Sequence, residues 1–87
     1  MMAFSSNYDL YESMRKLISD LYDEGAEELA GCLSDAMSIS SIAGEVLGEI
    51  RLALLKIRQH LLYKRVDIRT GVDEGIEYVD NVLGKYR

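Results

Sequence analysis

The chain has no proline and holds one cysteine, one histidine and one phenylalanine. The absence of proline favours uninterrupted helices, because no ring is present to block a helical hydrogen bond. A single cysteine, Cys32, excludes an internal disulfide and fits a reducing compartment. With one histidine, His60, and that one cysteine, a His/Cys metal site lacks its ligands. Apolar runs are short: Leu52 to Leu55 is four residues, far below the roughly 20 that cross a bilayer. Residues 1–20 carry Asp9, Glu12, Arg15 and Lys16 and show no secretory leader. Together these features predict a cytoplasmic protein with no membrane segment. A phosphate-cradling loop is missing too, since Gly44 and Gly48 are not followed by Lys-Ser or Lys-Thr.

What is present is helical patterning. The 87 residues suit one domain with a modest core, and the 48% hydrophobic and 29% charged fractions are those of a globular chain. Leu47, Ile50, Leu54, Ile57 and Leu61 step by 3, 4, 3 and 4, the spacing of one helical face. Val46, Ala53 and Leu62 widen that face, and Leu55 begins a second apolar line. This stretch, about 41–65, reads as the long central helix of the fold, with Ser40 or Ser41 as its cap. Leu10, Met14, Leu17 and Leu21 predict a helix over about 7–23, capped by Ser6 or Asn7 and ended by Gly25. Ala26, Leu29, Ala30, Leu33, Ala36 and Met37 predict a short helix over about 26–37. Val72, Ile76, Val79, Leu83 and Tyr86 predict a last helix over about 71–86, with Thr70 and Asp73 as a capping box. Met1 to Ser6 reads as a frayed lead-in. The expected fold is all-α, a small three- to four-helix bundle around the helix at 41–65.

From about Leu17 to Leu54 the chain resembles a set of small uncharacterised bacterial proteins. The shared pattern is Gly25, Leu29-Ala30, Leu33 and Ala36, a serine-rich break at Ser38 to Ser41, then Glu45, Leu47, Arg51 and Leu54. The resemblance implies an all-helical fold and a bacterial, cytoplasmic origin. It implies no chemistry.

Charge is unevenly placed. The net charge is −5, yet residues 1–45 hold nine acids against two bases, and residues 46–87 hold eight bases against six acids. One reading is internal complementarity between helices; another is an acidic face for a basic partner. Asp20, Asp23, Glu24, Glu27 and Glu28 crowd around Tyr22. Glu27 and Glu28 start a helix, where acids are favourable, but Asp23 and Glu24 end one, where they oppose the dipole. A local rule broken without local compensation marks a candidate site; the alternative is a solvated corner that keeps the protein soluble. Tyr8, Tyr11 and Tyr22 would supply aromatic anchors of the kind enriched at interfaces.

Arg51, Arg58 and Arg65 are spaced by seven and form a basic stripe if the helix runs through all three. A nucleic-acid reader could use such a stripe. In so acidic a chain, an exposed stripe paired with acids of neighbouring helices is the plainer reading. His60 lies among bases and Cys32 beside small and apolar residues, which reads as boundary and core placement. The sequence therefore predicts no enzyme, no cofactor and no metal. It predicts an interaction protein for a basic partner, immunity-like or regulatory, and a homodimer, because the helix at 41–65 is apolar on more than one side. A dimeric nucleic-acid-binding protein is the alternative.

Overall fold

The computed structural model describes residues 4–84. Among them are four α-helices and one 3₁₀ turn: α1 (Asn7–Asp23), α2 (Glu27–Ser38), α3 (Ala43–Arg58), the turn (Leu61–Lys64) and α4 (Val66–Gly84). The fold is all-α. Each helix packs on its neighbours in sequence, and α4 closes back onto α1. No helix is central: α3 touches α2 and α4 and occupies one corner of the four. Four helices of 12 to 19 residues each bury one stripe toward a shared middle, so none has to lie at the centre.

The start of α1 is built locally. Ser6 is its cap, and its hydroxyl accepts the Asp9 N–H at 3.4 Å. Ser5 donates both its N–H (3.1 Å) and its hydroxyl (2.6 Å) to the Asp9 carboxylate. The hydroxyl bond first, then the backbone bond, hold Asp9 below the ordinary carboxylate range. Met1 to Ala3 lie outside the described residues, but the rest of the lead-in is more than frayed chain, because Phe4 is buried in the core. Leu10, Met14, Leu17 and Leu21 follow as the buried face of α1.

Gly25 ends α1 at φ +80°. Its N–H donates to the Tyr22 carbonyl at 3.0 Å, and the Ala26 N–H donates to that of Leu21 at 2.8 Å. These two bonds make the Schellman motif. A side chain at Gly25 meets open space, so only backbone strain opposes one. Gly25→Ala is expected to cost about 1–2 kcal/mol, the penalty of the left-handed region. Denaturant melts check it, and a gain in stability would contradict this turn.

The next break matches the serine-rich stretch. The Ser38 hydroxyl donates back to the Ser34 carbonyl, and the Ser40 hydroxyl accepts the Ile42 N–H at 3.0 Å. Neither Ser40 nor Ser41 is the cap of α3. That position is Ile42, with no side-chain cap bond.

The largest departure from the sequence reading is where α3 stops. The helix expected to reach residue 65 ends at Arg58. His60 is extended, and its Nδ1 accepts the Leu62 N–H at 3.1 Å. That bond starts the 3₁₀ turn, which ends as Arg65 donates to the Leu62 carbonyl. Leu61, expected in the core, is 77% exposed. Leu62 and Tyr63 pack against the core instead. α4 begins at Val66, so Thr70 and Asp73 lie inside it and form no capping box. Its early start adds Ile68 to the core. Tyr86 lies outside the described residues.

The core is one cluster. It joins the α1 face to Ala30, Leu33 and Ala36 of α2, to Val46, Leu47, Ile50, Ala53, Leu54 and Ile57 of α3, and to Ile68, Val72, Ile76, Tyr78 and Val79 of α4. No polar or charged side chain is buried among the described residues. No helix there is long and apolar enough to cross a membrane.

Candidate functional site

The three arginines do not share a stripe. α3 ends at Arg58, so Arg65 lies beyond it, at the start of α4. Each arginine also has an acid. Arg51 Nε donates to Asp80 Oδ1 at 2.6 Å, and Arg58 stands 3.6 Å from Asp73. These pairs tie α3 to α4. The Tyr63 hydroxyl donates to the same Asp73 carboxylate at 2.5 Å, and this bond raises the phenol above its ordinary value. Arg65 Nη1 lies 2.8 Å from Glu24 Oε1 and ties the entry to α4 to the end of α1. All three pairs are partly exposed, where such contacts contribute about 0–1 kcal/mol each.

The acidic stretch is divided by the fold. Asp20, Asp23 and Glu24 line a recess of about 170 Å³ with Arg65, Asp67 and Ile68. Lys16 Nζ reaches Asp20 at 3.1 Å, and this bond raises the lysine above its ordinary value. Glu27 and Glu28 line a different recess, of about 380 Å³, with Leu29, Cys32, Lys56 and His60. Asp67 is an acid of this corner that sequence reading missed. Its place follows from the early start of α4, which no capping residue announces.

Charge balance differs among these groups. Asp20 and Glu24 have basic partners, whereas Asp23, Glu27 and Glu28 have none within 4 Å among the described residues. Glu27 and Glu28 occupy the first turn of α2 and are favoured by its dipole. Asp23 ends α1, whose last turn holds no base, so it opposes the dipole with no ion partner of its own, the nearby Arg65 being taken by Glu24. Tyr22 is exposed beside it. The other two tyrosines stand elsewhere. Tyr8 lies 14 residues back along α1, about 21 Å away. Tyr11 packs partly buried against the core.

Cys32 and His60 line the same recess, a pairing invisible in the sequence. His60 Nδ1 already accepts the Leu62 N–H, so its neutral ring carries its proton on Nε2. The ring then has no free lone pair to take a thiol proton. Among the described residues, no three His, Cys, Asp or Glu side chains are grouped to hold a metal ion. Comparison with protein-family models, curated proteins and solved structures gives no match to this chain.

Proposed function

We propose that the protein is a non-enzymatic interaction module that docks a basic protein surface on its α1–α2 corner. An immunity-like or regulatory role in a bacterial cell fits this size and charge. One observation supports the reading above others: Asp23 is left exposed and unpaired at the wrong end of a helix dipole, beside exposed Tyr22. A basic partner would supply the compensation that the chain itself does not. Glu27 and Glu28, also unpaired, would extend the footprint around the corner. The nucleic-acid alternative is weakened because Arg51, Arg58 and Arg65 each already face a carboxylate.

Affinity capture from host extract with the wild-type chain and with D23N/E27Q/E28Q tests the proposal. The variant should fold, and D23N alone should gain about 0.3–1 kcal/mol by relieving the dipole. A captured basic protein should associate more slowly with the variant, and the deficit should shrink as salt rises. E24Q should instead lose up to about 1 kcal/mol, because Glu24 holds Arg65. Equal association rates for wild type and variant at low salt would defeat the proposal. So would a captured nucleic acid lost on mutation of the arginines.

A further inference from the structure

The outer face of α3 is unpartnered. Gly44 and Gly48 have open space where a Cβ would stand, and Leu52 on the same face is 53% exposed. Leu55, next along this line, is only partly buried. A groove of about 440 Å³ runs beside them between α2 and α3, floored by Ala36 and Ala53 and flanked by exposed Ile39. Gly48 leaves room for another helix to approach closely, and Leu52 and Leu55 give it something to pack on. The arginines of α3 do not interfere, because Arg51 and Arg58 turn aside to Asp80 and Asp73 on α4.

Charge says what that helix is. Glu49 and Lys56 both line the groove, and neither has an ion partner among the described residues. They are seven residues apart, about 10 Å along the same flank of the helix. They also lie equally far on either side of the Leu52–Ala53 bond. A helix of identical sequence laid antiparallel, with its two-fold axis at that bond, sets Glu49 of each copy against Lys56 of the other. A parallel copy would set like against like. The surface is thus complementary to itself under one symmetry operation, which is the condition for a closed dimer.

We propose that the α3 face is the docking surface for a second copy of this chain, antiparallel about a two-fold axis at the Leu52–Ala53 bond. The interface adjoins the acidic corner, since Lys56 also lines the recess of Glu27 and Glu28, but self-association of the chain alone, with no basic partner present, is read independently of the proposed function.

Sedimentation equilibrium of the full chain at micromolar concentration is the test, with circular dichroism to confirm that each variant folds. Wild type should be a dimer. L52D should raise the dimer Kd at least about tenfold, since one change strikes both halves of the axis. It should leave helicity intact, because Leu52 is exposed in the protomer. E49K and K56E should each weaken the dimer, and the E49K/K56E swap should restore it, because the exchanged charges meet again across the axis. A monomeric wild type, a higher oligomer, a dimer indifferent to L52D, or a swap no better than the single changes would each overturn the proposal.

Discussion

Leu54→Ala is expected to cost about 2–5 kcal/mol, the range for emptying a fully buried leucine site. Leu54 has no exposed surface. It sits where three helices converge. A Cβ placed on Gly75 of α4 would stand 2.8 Å from Leu54 Cδ1 and 3.1 Å from Met14 Cε of α1. The total stability of a chain this long is only about 4–13 kcal/mol, so the loss would be a large part of it. The same contact predicts a sign change. Gly75→Ala gains about 1 kcal/mol of helix propensity. In the wild-type chain that gain is offset by displacing Leu54 and Met14 from their packed positions. In the Leu54→Ala background the 2.8 Å collision is gone, the flexible end of Met14 can shift into the vacated space, the new methyl fills part of the cavity, and Gly75→Ala should stabilise outright. Denaturant melts of the four proteins give a coupling of about 1 kcal/mol or more between the two sites. Additive effects, or a Leu54→Ala loss near zero, would contradict this convergence.

Phe4→Ala should lose about 3 kcal/mol, the low end for a buried phenylalanine. Phe4 packs edge-to-face on Tyr78 of α4, with ring centroids 5.8 Å apart and planes at 81°. That geometry adds electrostatic preference to the apolar burial. The Tyr78 hydroxyl in turn donates to Asn7 Oδ1 at 2.5 Å, joining α4 to the first residue of α1. Burial is the first cause that pushes the Tyr78 phenol above its ordinary value, so it stays a donor across the physiological range. Tyr78→Phe keeps the ring contact and removes only the bond, so it should cost about 0.5–1.5 kcal/mol. The two losses should not add, because both act on one ring. A Phe4→Ala loss below that of Tyr78→Phe would show that the N-terminal segment contributes little.

Local pattern was enough for the fold class and for most of the core. The steps of 3 and 4 in Leu10 to Leu21 and in Leu47 to Ile57 are the geometry of a helix face, and those residues are buried. Gly25 was legible for a similar reason, since the left-handed cap needs a residue without Cβ. The end of α3 was not legible. Leu61 continues the apolar line, and neither proline nor glycine marks the break. The chain turns because the His60 imidazole can take the Leu62 N–H and because Leu62, Tyr63 and Ile68 then reach the core. That preference is tertiary, and the periodicity of one segment does not contain it. The same turn carried Arg65 off the supposed stripe and put Asp67 beside Asp20 and Asp23. Acid crowding around Tyr22 could be read along the chain, but not which acids keep a free charge. Arg65 reaches Glu24 from 41 residues away, so only the packed bundle decides which carboxylates it neutralises and which it leaves facing outward.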